Sequence, residues 1–242
     1  MTNSINDVAV IADIHGSYTK LKAAVEPLYN TGKHLIFLGD LIDRAPEPDG
    51  DINVVKLVHA LHQNPEEYGL SKVTVLKGNH EEMLLRLKMK PTPSLAQCWM
   101  DNGGSYDLFK QIDEYLPWLD SLPLKYKQGR YLFVHAGVRP GIPLGKQRKS
   151  DLMWIREDFL DCEDHGLPYI VVHGHSVVGF TDTYEQHKRI SLDMGACFGG
   201  PLEPYMIDTD VDPWEEVDQI SGIGPCFTVG DRNLYTLAHI CK

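Results

Sequence analysis

The sequence has little of what several protein classes require. Its five cysteines, Cys98, Cys162, Cys197, Cys226 and Cys241, are odd in number and form no CxxC pair, which argues against a disulfide framework or a zinc–thiolate site. No apolar run approaches the ~18 residues of a membrane span. No N-terminal stretch combines basic residues, an apolar segment and a small-residue cleavage site, so the chain is expected to be soluble and cytoplasmic with no membrane partner. Positive charge is also short: 23 Lys and Arg stand against 34 Asp and Glu, a formal net charge of -11. That balance argues against a surface built mainly to neutralise phosphates, and no nucleic-acid polymer is expected as a partner. Internal repeats and low-complexity segments are absent as well.

What the chain does have is a series of short apolar runs that stop at polar residues. Leu35-Ile36-Phe37-Leu38 reads as a buried strand that ends at Gly39 and delivers Asp40, Asp43 and Arg44 into a loop. Val8–Ala12 reads likewise and ends in Asp13-Ile14-His15-Gly16. Asp13 and His15, two apart, share a face if the extended geometry persists to the end. Ser17 and Asp51 are placed to cap helices carrying Leu21, Ala24, Val25 and Leu28, and Val54, Val55, Val58 and Leu61; the first is expected to end near 30–32. Val73–Leu76 runs into Gly78-Asn79-His80-Glu81, Tyr131–Val134 into His135-Ala136-Gly137, and Tyr169–Val172 into His173-Gly174-His175.

The repeated strand–loop–helix order predicts an α/β fold, and 242 residues fit a single domain over 1–242. Residues 91–125, broken by prolines and glycines, read as a helical cap or insertion in which Trp99, Phe109, Tyr115 and Trp118 serve packing. Arg189–Gly195, Tyr205–Asp208 and Leu234–Leu237 suggest further short strands of a second sheet, and the acidic stretch 208–228 reads as a solvated loop.

A single aspartate after a strand is commonly turn chemistry, and a single histidine is commonly structural. His34, His59, His62, His165, His187 and His239 take that bland reading. Asp, Asn and His recurring at five strand ends do not. Carboxylates and imidazoles gathered at the carboxyl ends of strands offer mixed oxygen and nitrogen ligands suited to manganese, iron or zinc, and too rich in nitrogen for calcium.

In order and spacing, Asp13-Ile14-His15-Gly16, Gly39-Asp40-Leu41-Ile42-Asp43-Arg44, Gly78-Asn79-His80-Glu81, His135-Ala136-Gly137 and Gly174-His175 resemble the signature of the phosphoprotein phosphatase family of calcineurin-like binuclear metallophosphoesterases. Leu152–Glu157 and Asp193–Gly200 resemble downstream segments of its compact bacterial and phage serine/threonine protein phosphatases. The resemblance implies two mixed β-sheets in a sandwich flanked by helices. It also implies that Asp13, His15 and Asp40 hold one divalent metal, with Asp40 bridging to a second held by Asn79, His135 and His175. Mn2+ is the expected ion, with Fe or Zn as alternatives. Alternation along the strand places His173 beside His175, but the family pattern selects the histidine after glycine.

The same resemblance assigns His80 as general acid, with Asp43 holding its imidazole, and Arg44 and Arg156 as phosphate clamps. Asp43 could instead cap a turn, and Arg156 could be only a salt-bridge partner of Glu157 or Asp158. A metal-bridging hydroxide would attack phosphorus. Departures from the pattern are Ala45, where glycine usually follows the arginine, and Ser176, where threonine often follows the histidine; neither removes a ligand. The expected activity is hydrolysis of phosphoserine or phosphothreonine in a protein or peptide. The alternatives are a symmetrical dinucleoside tetraphosphate (Ap4A) hydrolase, with a dinucleoside polyphosphate as substrate, and a non-catalytic module that binds phosphoproteins.

Overall fold

The computed structural model describes residues 7–178 and 187–211, together with the backbone of 182–184. Contacts divide the chain into a compact unit Met1–Asp210 and a second unit Val211–Lys242. Apart from Val211 the second unit lies outside the described residues, and with it the strand expected at Leu234–Leu237, His239 and most of the acidic stretch. The single domain expected over 1–242 is thus described here only as the first unit.

One sheet contains β1 (Asp7–Ile11), β2 (His34–Phe37), β3 (Lys72–Val75) and β9 (Tyr205–Asp208), in the order β3-β2-β1-β9. Its first three strands are parallel, and β9 runs antiparallel to β1. The other sheet contains β4 (Lys125–Gln128), β5 (Tyr131–Val134), β6 (Ile170–His173), β7 (Asp182–Tyr184) and β8 (Arg189–Ser191), in the order β4-β5-β6-β8-β7. Here β5, β6 and β8 are parallel and the edge strands β4 and β7 are antiparallel. Both sheets are therefore mixed, as expected. Of the late strands expected in the second sheet, Arg189–Ser191 joins it, whereas Tyr205–Asp208 pairs with β1 in the first. Strand β4 was not foreseen, because its alternating exposed and half-buried residues carry no apolar run.

The helices are α1 (Tyr18–Val25), α2 (Gly50–Gln63), α3 (Asn79–Met89), α4 (Pro93–Asp101), α5 (Tyr106–Gln111), α6 (Leu116–Ser121), α7 (Lys149–Trp154) and α8 (Glu157–Leu160). Alternation along the strands sorts their side chains. Ala9, Ile11, Leu35, Phe37, Val73 and Val75 join Leu21, Val54, Val58, Leu84 and Trp118 in one core beneath the helices. Leu132, Val134 and Val171 join Leu152, Ile155 and Phe159 in a second core. The opposite face of the first sheet meets the second sheet: His34 bonds Thr74 beside it and Gln128 on β4, and its ring stands edge-on to Tyr126. Burial on both faces explains why these strands read as unbroken apolar runs.

Several local expectations differ. Ser17 occupies the cap position of α1, but its hydroxyl makes no capping bond. Asp51 is not a cap: α2 starts at Gly50 with Asp49 as N-cap, and Asp51 is buried in the first turn. Helix α1 stops at Val25, continuing as a 3-10 turn with Pro27 inside it. Among the described residues no helix is long and apolar enough to cross a membrane.

Candidate metal centre

Parallel neighbours present their carboxyl ends at the same edge, so β1, β2 and β3 deliver Asp13, Asp40 and Asn79 to one rim, where β5 and β6 bring His135 and His175. The two sheets are joined there. His135 Nδ1–H donates to Leu38 O at 3.0 Å, Gly174 N–H donates to His135 O at 2.8 Å, and His175 N–H donates to both Asp13 oxygens at 3.0 Å. The extended geometry expected of Asp13 and His15 does not persist. Strand β1 ends at Ile11, and these residues take positive φ of 47° and 45°. A left-handed turn, not strand alternation, aims them.

Two triplets of ligand atoms each gather within 4.8 Å of one another: His15, Asp40 and His80, and Asp40, His135 and His175. Asp40 is common to both. The Nδ1–H of His15 is held by Ile42 O at 2.9 Å and that of His135 by Leu38 O, which leaves each Nε2 lone pair facing inward. His135 Nε2 lies 2.8 Å from Asn79 Oδ1, 3.2 Å from His175 Nδ1 and 3.4 Å from Asp40 Oδ2. With neutral imidazoles that is a cluster of acceptors, stable only around a proton or a cation. Burial disfavours the His135 cation, yet the Asp40 charge lifts its pKa to about 9. Burial also pulls the Asp40 carboxyl up, but His135, His80 and His15 together hold it well below the usual range. The donor set thus fits divalent cations. Asp13 is in neither triplet, and His80 stands in the first where the resemblance implies Asp13; the Asp13 carboxylate accepts the His175 N–H, with further lone pairs left over. Gly174 permits this closeness, since a Cβ there would sit 1.8 Å from Asp13 Oδ2.

His80 Nδ1–H donates to Asp43 Oδ2 at 2.7 Å, and its Nε2 is 3.8 Å from Asp40 Oδ2. Asp43 therefore does not simply cap a turn. Burial pushes the Asp43 carboxyl well above its usual range and pulls the His80 imidazole down to about 4. Arg44 Nη1 donates to His15 Nε2 at 3.2 Å. Exposed Arg156 donates to Ser176 Oγ at 3.1 Å, while Asp158, one of the two residues weighed as an alternative salt-bridge partner for it, pairs with Arg139 at 2.7 Å. His173 is turned aside: its Nδ1 meets Gly174 O at 3.1 Å and its ring abuts Phe159.

Sequence reasoning missed three groups. Buried Glu81 accepts N–H bonds from Asp40, Leu41 and Gly78 at 2.8 to 3.0 Å; a glutamate at the third position of a helix opening is the signal that was available. Trp99 Nε1–H donates to both Asp43 oxygens at 3.0 Å, and nothing in the spacing announced it. Asp193, just past β8, is one more buried strand-end acid, its pKa raised to about 6 by burial. The bland histidine readings fit where described: His34 is bonded within the fold and His59 and His62 pack on Trp118.

Two mixed sheets whose strand ends converge on Asp, Asn and His around one shared carboxylate define the class as a metal-dependent phosphoesterase. The chain belongs to the calcineurin-like phosphoesterase family, whose model matches residues 7–200, and it is an enzyme of the hydrolase type. It is 27% identical over 217 residues to serine/threonine-protein phosphatase 1 of Salmonella typhimurium, covering 81% of this chain and 89% of that one. It is 26% identical over 232 residues to the asymmetrical bis(5'-nucleosyl)-tetraphosphatase PrpE of Bacillus subtilis, covering 81% and 88%. The match to the symmetrical bis(5'-nucleosyl)-tetraphosphatase of Methylococcus capsulatus is 29% identical, but covers 55% of this chain and spans only 44% of that enzyme's length. In fold, the chain matches the cold-active protein-tyrosine phosphatase of a psychrophilic Shewanella with a TM-score of 0.59 and 19% identity, over 86% of this chain and 76% of that one.

Proposed function

We propose that the protein hydrolyses phosphomonoesters, with phosphoserine and phosphothreonine in proteins or peptides as its substrates. The observation that carries this reading is the buried His80–Asp43 pair, 2.7 Å apart, with the free imidazole nitrogen turned toward Asp40. An alkoxide leaving group needs a proton, and a histidine whose Nδ1–H is fixed by a carboxylate presents Nε2 to give it when the ring is the imidazolium, which the neighbouring Asp40 charge favours against burial. A polyphosphate leaving group is far less basic and has less use for such an acid.

Asp13, His15 and Asp40 would hold one divalent cation, and Asp40, Asn79, His135 and His175 the other; the mixed oxygen and imidazole set suits manganese, iron or zinc, and Mn2+ is the ion proposed. When bound, such a pair supplies a water of lowered pKa and neutralises charge on the phosphoryl oxygens. The chain's own residues do the rest. Arg44, bonded to His15, and Arg156, bonded to Ser176 next to His175, supply guanidinium groups that bind phosphoryl oxygens. His80 then protonates the departing oxygen while Asp43 keeps its imidazole oriented. The arginines would serve a module that only binds phosphoproteins as well, but a buried proton donor such as His80, held by Asp43, would have no use in one.

A second reading, hydrolysis of a dinucleoside tetraphosphate, is favoured by relatives with that name which match as large a share of the chain as the protein phosphatase does. Manganese-loaded protein assayed in parallel on phosphoserine peptide, phosphotyrosine peptide and diadenosine tetraphosphate separates the two. The phosphoserine peptide is expected to have the highest kcat/KM; preference for the dinucleotide by about tenfold, or ~1.4 kcal/mol, would overturn the choice. His80→Ala is expected to lower turnover of an alkyl phosphate by about 10²-fold or more with metal content unchanged.

A further inference from the structure

The helical insertion reaches the acid pair. Trp99, on α4, is 2% exposed, and its indole N–H is shared between the two oxygens of fully buried Asp43, 3.0 Å from each. A tryptophan serving only as filler would not need this bond, whereas a carboxylate in an apolar interior is costly without donors. The shared proton fixes the plane of the carboxylate and leaves Oδ2 directed at His80 Nδ1. The indole is itself held. Its ring packs on Phe109 at 5.8 Å, and it lies so close over Gly104 that a Cβ there would be 2.3 Å from Trp99 Cδ2 and Cε2. The turn that follows α4 also grips the next residue of the loop: Gly103 O accepts the Arg44 N–H at 2.9 Å and Asn102 O accepts Arg44 Nε–H at 3.2 Å.

The geometry points to Trp99 as a positioning residue: its indole N–H aims Asp43, and through Asp43 the imidazole of His80. This rests on the reading of His80 as the proton donor to the leaving oxygen. The Trp99 indole N–H bonds to Asp43, which is not among the proposed metal ligands, so its effect must appear where proton donation matters. When the leaving group is an alkoxide, a water oxygen bonds to phosphorus and the bond to the leaving oxygen breaks as the Nε2 proton of the His80 imidazolium passes to that oxygen, leaving the imidazole neutral with its Nδ1–H still on Asp43. A p-nitrophenolate departs without that proton.

The test is Trp99→Phe in the manganese-loaded full chain. On a phosphoserine peptide kcat is expected to fall about tenfold, the scale of a lost hydrogen bond to a charged group, with KM within about twofold. On p-nitrophenyl phosphate kcat should change by less than about twofold. An equal fall on both substrates, or no fall on the peptide, overturns the proposal, because a merely structural role would not distinguish leaving groups. The second arm needs no turnover. In 15N-labelled protein, the Trp99 indole resonance is assigned by elimination with Phe variants of Trp118, Trp154 and Trp214. Asp43→Asn should move that proton upfield as the charged acceptor is lost; an indole signal that stays put overturns the positioning claim. If wild-type protein hydrolyses neither phosphate, the phosphomonoesterase reading fails and the indole shift alone decides whether Trp99 holds Asp43.

Discussion

Gly174→Ala tests the closest approach in the site. A Cβ on Gly174 would lie 1.8 Å from Asp13 Oδ2, 3.0 Å from Asp13 Cγ and 3.1 Å from Ala12 Cβ. Gly174 cannot easily retreat, since its N–H is tied to His135 O at 2.8 Å. Asp13 must therefore rotate away and release the His175 N–H from its carboxylate. Overpacking costs about 1–3 kcal/mol, and a lost hydrogen bond to a charged acceptor about 1.5–3 kcal/mol. Because rotation relieves part of the clash, a total of about 3 kcal/mol is expected, equivalent to a Tm lower by roughly 10 °C in a domain of this size. Urea unfolding of the chelator-treated protein measures it without metal binding. Gly145→Ala, where no atom lies within 4 Å, is the control and should stay within about 0.5 kcal/mol. The decisive step is the cycle with Asp13→Ala. Once the carboxylate is gone the added methyl has room, so the cost of Gly174→Ala should shrink by about 2 kcal/mol; additivity within about 0.5 kcal/mol would refute the steric argument.

Three further outcomes follow from particular groups. Glu81→Ala leaves the buried N–H groups of Asp40, Leu41 and Gly78 without their acceptor and should cost about 3 kcal/mol or more in urea unfolding; a loss under about 1 kcal/mol would mean other acceptors serve. Asp40→Asn should strip bound manganese, measured by elemental analysis of desalted protein, and nearly all turnover with it; wild-type metal content and activity would rule out the shared-carboxylate reading. Burial, opposed by the Gln128 bond and aided by Lys72, lowers His34 from 6.5 to about 4. The unfolded chain therefore holds the extra proton between these values, so stability should fall by about 2 kcal/mol as pH drops from 6.5 toward 4, with no contribution above that window. His34→Gln should flatten that slope, and an unchanged slope would assign it to other groups.

How much of this was legible in the sequence depends on whether a feature is set by local chemistry or by long-range packing. Runs such as Leu35–Leu38 and Tyr131–Val134 announced β2 and β5 because both faces are buried, so no alternation obscured them. Strand β4 was illegible for the opposite reason: as an edge strand with exposed Lys125 and Lys127 it resembles a loop. The polar residues after strands were readable as candidates because their types are rare at such positions in combination. Their aim was not readable, since it is set by turns whose φ no spacing rule gives. Glu81 had a local signal as a helix-opening residue, but its acceptance of the Asp40 and Leu41 N–H groups depends on a chain segment 40 and 41 residues away. Trp99 had none: it was assigned to packing, and packing it does, but the bond to Asp43 spans 56 residues.

The backbone explains why ligands come together so closely before any cation is considered. Among the described residues nine non-glycines have positive φ, and six of them, Asp13, His15, Asp40, Asp43, Arg44 and His175, belong to the candidate site. The left-handed region costs a residue with a Cβ about 1–2 kcal/mol, somewhat less for Asp and His, so several kcal/mol of strain sit in one place. Such strain persists only where the surroundings over-determine it, and here they do. The His15 N–H is held by Asp40 O, the Asp40 N–H by Glu81, the Arg44 N–H by Gly103 O and the His175 N–H by Asp13. A backbone bond from Asp43 goes to the buried Asp51 carboxyl. Residues that sequence reading could regard only as helix-opening or packing groups, Glu81, Asp51 and the turn after α4, are therefore what keep the reactive residues in their strained turns. The donors are aimed by the protein's own hydrogen bonds, which is why a substitution one layer behind the cluster, at Gly174 or Glu81, should damage it as surely as one within it.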